Sequence, residues 1–87
     1  MKADKVKANR LLKTARGQLD GLLKMVEEDR YCIDISNQLM ATIAILRKVN
    51  RDVIQAHLES CVAEAFEAGQ EREKIEEIMG IVEKLTQ

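Results

Sequence analysis

The sequence has no proline and no tryptophan, one tyrosine, one phenylalanine, one histidine, two cysteines and four glycines. Each scarcity removes a class of protein. Nothing in the chain reads as a linker, a repeat or a strand. No run of apolar residues is long enough to span a membrane. The opening residues, Met1 to Lys5, lack the apolar core of a secretory signal, so a cytoplasmic location is expected. Two cysteines in such a chain point to metal ligation or redox work, not to a structural disulfide. There is no glycine-rich phosphate loop and no Ser-His-Asp arrangement, and the carboxylates read as solvated helix faces. An enzyme is therefore not expected.

What remains is helical. The 87 residues are 46% hydrophobic and 33% charged, rich in Ala, Leu, Ile, Glu, Lys and Arg, which is the composition of helix bundles and coiled coils. The expected organisation is one all-α domain over residues 1–87. A chain this short buries little core alone, which favours oligomers. In the first helix, from about residue 4 to about 28, Leu12, Ala15, Leu19, Leu22 and Val26 recur at spacings of three and four, an apolar stripe. Gly17 and Gly21 interrupt it without breaking it and suggest a close helix–helix approach.

Glu27 to Arg30 reads as a polar turn, after which a second helix runs from near Tyr31 through Phe66. It carries two seams. Leu39, Ile43, Leu46, Asn50, Val53 and His57 make one; Ile35, Thr42, Ile45, Val49 and Ala56 make the other. One seam must be buried against its own chain and the other against a partner. Gly69 is a natural stop. A short third helix carries the stripe Ile75, Ile78, Val82 and Leu85. Three helices per chain, pairing through the second into an antiparallel four-helix-bundle homodimer, is the expected architecture.

Charge is segregated although the net value is only −1. Lys2, Lys5, Lys7, Arg10, Lys13 and Arg16 face only Asp4 near the start, and Arg47, Lys48 and Arg51 form a second basic cluster. Acidic residues dominate from Glu59 onward. Such a chain can present a basic surface to phosphates, although solvated helix faces look the same in sequence.

The residues able to do chemistry are Cys32, His57 and Cys61. His57 and Cys61 lie one turn apart on the same helix face and could share a metal. Cys32 lies 25 residues before His57, about 37 Å along a continuous helix. One chain cannot close a site from all three. Two antiparallel copies crossing near residues 45 and 46 can, with Cys32 of one beside His57 and Cys61 of the other. Two thiolates and an imidazole form a soft, low-coordinate set suited to Cu(I). Zinc remains open if Glu or water adds a fourth ligand. Nickel and cobalt usually want more nitrogen and oxygen donors, and there is no second histidine. Buried free cysteines without metal also remain open.

The stretches Arg16-Gly17-Gln18-Leu19-Asp20-Gly21, Met25 through Ile35 (MVEEDRYCIDI) and His57-Leu58-Glu59-Ser60-Cys61 strongly resemble the copper-sensitive operon repressor family. The likeness covers nearly the whole chain. It implies a disc-shaped homotetramer, a dimer of antiparallel four-helix bundles, that represses operator DNA when metal-free and releases it on binding Cu(I). It also implies that Cys32, His57 and Cys61 are the copper ligands, with Tyr31 and Glu77 as the pair that links His57 to the third helix. The nickel- and cobalt-sensing branch carries extra N-terminal histidines, absent here. The formaldehyde-sensing branch has proline at the second position and lacks the last cysteine; here Lys2 and Cys61 stand. The persulfide-sensing branch keeps both cysteines but lacks the histidine, which makes a thiol sensor using Cys32 and Cys61 the alternative. On the implied DNA face stand Lys5, Lys7, Arg10, Lys13, Arg16, Lys48 and Arg51. Leu11 occupies a position where the family often has arginine, and Lys48 one where a second arginine is common.

Overall fold

Asp4 starts the first helix: its side chain accepts a hydrogen bond from the backbone N–H of Lys7 at 3.1 Å, satisfying a donor that a helix start leaves unpaired. In the computed structural model, which describes residues 1–85, α1 spans Lys5–Glu27, α2 Cys32–Ala68 and α3 Glu71–Leu85, and the described residues include no strand. α1 ends where Asp29 turns into the left-handed region (φ 52), a conformation Asp and Asn adopt more readily than most residues. Arg30 then bonds back to the carbonyl of Met25 at 3.0 Å. α2 ends on Gly69, whose φ of 72 suits a residue without Cβ. Glu71 and Glu73 lie in the first turn of α3, where carboxylates meet the positive end of the helix dipole.

The three helices form two antiparallel hairpins that share α2. α1 packs along it from one side and α3 folds back on its C-terminal part; among the described residues α1 and α3 do not pack on each other. The result is a slab of 58 × 28 × 13 Å with a radius of gyration of 17.7 Å. A compact domain of this length would have a radius near 12 Å. A body one helix thick has almost no interior. Among the described residues, the buried apolar ones are Ala15, Leu22, Val49, Cys61 and Ala65, with Thr42 as the buried polar one.

The structure decides which seam of α2 is internal. Thr42 and Val49 are buried and Ile35, Ile45 and Ala56 half-buried, whereas of the other seam Leu39, Ile43 and Leu46 are 41–43% exposed, Asn50 and His57 are also exposed, and Val53 is half-buried. The Thr42 hydroxyl donates to Gln18 Oε1 at 2.6 Å, which ties the register of the hairpin. Lys7 pairs with Asp52 at 3.5 Å and Lys2 with Glu64 at 3.7 Å, tying the start of α1 to the second half of α2.

Three expectations change. The inward face of α1 is Leu11, Ala15, Gln18, Leu22 and Met25, while Leu12, Leu19 and Val26 sit exposed on a flank. The full stripe on α1 is therefore wider than one contact, and the rest of it is open. The glycines do not serve a close approach within the chain: a Cβ at Gly17 or Gly21 would meet nothing within 4 Å. They line a shallow groove with Thr14, Gln18, Lys24 and Gln38. On α3, Ile78 and Ile81 turn toward α2, while Ile75, Val82 and Leu85 are exposed. Periodicity identifies apolar positions on each helix but cannot say which arc the neighbour covers.

Candidate metal centre

The α2–α3 hairpin assembles most of the site. A continuous α2 places His57 above Cys61 by one turn. The tight reversal at Gly69 returns α3 along the same end and brings up Glu77. One nitrogen of His57, the sulfur of Cys61 and a carboxylate oxygen of Glu77 all lie within 4.8 Å of one another. His57 Nε2 is 3.2 Å from Glu77 Oε1. Cys61 is buried beneath them, and His57 and Glu77 are exposed at the rim.

A fourth residue belongs here that the sequence does not single out. Lys74 Nζ is 3.1 Å from Glu77 Oε2, so the two oxygens of Glu77 serve two partners. The Lys74 ammonium is held above its ordinary value, first by hydrogen bonding to Cys61 and then by Glu77. The Glu77 carboxyl is held below its ordinary value, first by Lys74 and then by His57. The sequence signal is the three-residue spacing of Lys74 and Glu77 on α3, which puts them on one face. That signal is common on solvated helices and points to no site by itself.

These shifts have signs that can be tested. A lowered carboxylate value stabilises the fold above the ordinary carboxylate range, and that contribution is lost as pH falls through the folded value. A raised lysine value stabilises below its ordinary 10.5, and that contribution is lost as pH rises through the folded value. Lys74 and Glu77 pair within α3, and Lys74 with Cys61 and Glu77 with His57 join α3 to α2, so what these contacts add to docking is complete between these limits. The side chains are part-exposed, so the effect is modest. Hydrogen-exchange protection of residues 74–78 in the metal-free protein is expected to drop as pH falls through and below the ordinary carboxylate range. The Glu77→Gln variant should lack that acid-side step. An identical step in the variant would assign it to another group.

Cys32 is the first residue of α2 and is exposed; Tyr31 is its N-cap and is 67% exposed. Neither reaches His57 within the chain, because the helix between them is unbroken. Cys32, Leu39 and Leu46 recur every seven residues, as do Ile43, Asn50 and His57. The exposed seam of α2 thus begins at Cys32 and ends at His57, with Cys61 buried one turn further on. The donors sit at its two ends, with the unpaired apolar residues between.

Of the basic residues expected to face DNA, Lys5, Arg10, Lys13 and Arg16 project from α1 and Lys48 and Arg51 from α2, all exposed. Lys5, Arg10, Lys13 and Arg16 lie away from the buried Ala15–Leu22 face. Lys7 differs: it is half-buried and engaged by Asp52.

A family model described as metal-sensitive transcriptional repressor matches residues 4–84. The chain belongs to that family. It is 43% identical over 71 residues to the copper-sensing transcriptional repressor CsoR of Mycobacterium ulcerans, an alignment covering 82% of this chain and 61% of that protein. The chain thus spans about three-fifths of the length of such mycobacterial relatives. It is 37% identical over 75 residues to the protein of the same name from Bacillus subtilis, covering 86% of this chain and 74% of the relative. The fold matches the crystal structure of the copper-sensing repressor CsoR with Cu(I) from Geobacillus thermodenitrificans, with a TM-score of 0.86 and 33% identity over 100% of this chain and 94% of that one. The family is one of transcriptional regulators, not enzymes, and the three-helix fold is shared. No helix of the described residues is long and apolar enough to cross a membrane.

Proposed function

We propose that this chain is a Cu(I)-responsive transcriptional repressor, a single helical domain over residues 1–87 that holds operator DNA when metal-free and releases it when loaded. The observation that carries this reading is the placement of Cys32 and of the His57–Cys61 pair at opposite ends of one exposed apolar seam. The copper-sensing names of its relatives support it. Burying that seam against an antiparallel copy, with the crossing near residues 45 and 46, sets Cys32 of each chain beside His57 and Cys61 of the other. The homodimer gains two equivalent sites, and two such dimers would make a tetramer.

Cys32, His57 and Cys61 would hold the ion, and their two thiolates and one imidazole match the softness and low coordination number of Cu(I). Glu77 engages Nε2 of His57, which leaves Nδ1 as the donor nitrogen. A carboxylate on the other ring nitrogen fixes tautomer and ring direction. Tyr31 travels with Cys32 and would arrive beside the His57 of the other chain. His57 and Glu77 then tie the seam to α3, so a change in the position of Cys32 is felt on a different helix.

Lys5, Arg10, Lys13 and Arg16 on α1, with Lys48 and Arg51 on α2, form the phosphate-facing surface. Lys7 contributes once it leaves Asp52. No recognition-helix motif is present, so backbone contacts and DNA shape carry the readout. If loading weakens DNA binding, DNA weakens loading by the same factor.

The test is a DNA-binding titration of the metal-free protein with Cu(I), Zn(II), Ni(II), formaldehyde and persulfide in parallel. Release by Cu(I) alone is the expected result. Release by persulfide with copper chelated would replace this reading with a thiol sensor. Replacing Lys13 and Arg16 together with alanine should weaken DNA binding and flatten its salt dependence, by about 0.9 in log–log slope for each phosphate no longer neutralised. An unchanged slope would remove these two residues from the interface.

A further inference from the structure

We infer that Gln18 contacts the DNA backbone and that the buried Thr42 is the residue that positions it. The inference rests on the DNA-facing surface proposed above and adds a neutral donor to it. Thr42 is 2% exposed and is the buried polar residue among those described. A hydroxyl in such a place needs a partner. It has one proton. Of its two acceptors, Gln18 Oε1 at 2.6 Å is nearer than the Gln38 carbonyl of its own helix at 3.1 Å. The bond crosses from α2 to α1 and fixes which end of the Gln18 amide points inward. The oxygen is turned to the core, so the Nε2 hydrogens are turned away from it. That nitrogen meets no acceptor among the described residues and is not sealed from solvent.

The groove that Gln18 lines has the character of a phosphate site. Thr14, Gly17, Gly21 and Lys24 line it from α1 and Gln38 from α2. Arg10, Lys13, Gly17, Gly21 and Lys24 follow one another at spacings of three and four, so they share one arc of α1. Thr14 also lines the adjoining hollow with Arg10 and Lys13, which makes the two grooves continuous along that arc. Glu28 and Arg30 close the far end and pair with each other at 3.8 Å, so they add little net charge. Leu12, Leu19 and Val26 lie on the opposite flank of α1. Burying the apolar seam against a second copy therefore leaves this groove open. The cations are strung along the helix and not gathered round one point, which matches a chain of phosphates better than a free anion. A phosphodiester drawn in by Lys13 and Lys24 would cross α1 at Gly17 and Gly21, where no side chain stands in its way. There it would accept from Gln18 Nε2. A directional donor of this kind fixes the register of the protein on the duplex.

The test uses the metal-free full chain and a fluorescent duplex of mixed sequence at low salt, because phosphate contacts carry no base information. Gln18→Glu keeps an oxygen for Thr42 but removes the N–H donor. Its DNA affinity is expected to fall about tenfold or more. Thr42→Val nearly keeps the shape and removes the hydroxyl that orients the amide. It should bind DNA about threefold or more weakly, with an unchanged salt slope, since a neutral donor releases no counterion. Thr42→Ser returns the hydroxyl and should return the affinity. Cu(I) affinity and oligomeric state should match wild type in all three. A bond that only pins the helices would behave otherwise: Thr42→Val would melt at a lower temperature and still bind DNA as wild type does. That result, wild-type DNA affinity in Gln18→Glu, or weakened binding that tracks dissociation of the oligomer would each overturn the inference. Failure of the DNA-facing surface itself would register separately, as wild-type binding by the Lys13 and Arg16 alanine variant.

Discussion

Cys32→Ala abolishes tight Cu(I) binding and leaves the metal-free protein folded and bound to DNA. The first half of this expectation follows from counting donors. In the proposed three-ligand set Cys32 is one of two soft sulfurs, and His57 and Cys61 alone would hold Cu(I) less firmly. A structural zinc site worth about 10–16 kcal/mol across four ligands assigns roughly 2.5–4 kcal/mol to each, and a loss of that size is about two to three orders of magnitude in affinity. The second half follows from position. Cys32 is exposed at the first residue of α2 and contributes nothing to the buried core. Exposed substitutions of this kind usually change stability by less than about 0.5 kcal/mol. Chelator competition measures the first effect and salt-controlled DNA titration the second. Loss of DNA binding in the metal-free variant would make Cys32 a structural residue and remove the argument for it as a ligand.

Ile43→Glu is expected to produce a larger collapse, because it strikes assembly and not the ligands. Ile43 is 43% exposed and lies near the proposed crossing point of the two copies of α2. It takes no part in the internal seam of Thr42 and Val49 that holds α1. A carboxylate there would be buried opposite its own symmetry mate, at a cost of several kcal/mol per charge. The variant should run as a monomer in light scattering, with reduced helicity, because a slab 13 Å thick hides too little apolar surface to be robust alone. Both Cu(I) affinity and DNA affinity should fall, although every ligand and every basic residue is intact. An oligomeric variant with wild-type copper binding would show that the seam is not the interface and that Cys32 meets His57 and Cys61 by another route. Together the two variants separate ligand loss from loss of assembly: the first retains DNA binding, the second does not.

Much of the chain is legible without a structure because its signals are local. The spacing predicts α2 from Tyr31 through Phe66, and it runs Cys32–Ala68, since heptad-like spacing and a terminal glycine both act within a few residues. His57 and Cys61 pair on the same ground: four residues on a helix is one turn. Lys74 escapes a reading of the sequence for the opposite reason. It reaches Cys61 only because α3 folds back at Gly69, and no spacing along the chain records that return. The inward arcs of α1 and α3 are ambiguous likewise: Leu12 and Ile75 satisfy the helical period as well as Leu11 and Ile81 do.

The sequence by itself determined three helices, a family and which donor residues are available for the proposed metal site. Helical periodicity, residue spacing and donor type are properties of neighbours along the chain. Only the tertiary structure decided which seam of α2 is spent inside the chain, that Lys7 is engaged by Asp52, and that Glu77 stands 3.2 Å from His57 with Lys74 on its other oxygen. Those outcomes depend on how helices pack against one another. Two apolar faces of equal period compete for one partner helix, and the winner is set by side-chain fit and by links such as Thr42 to Gln18 across the interface. The face that lost this competition is the one left open, with Cys32 at one end and His57 at the other, above the buried Cys61.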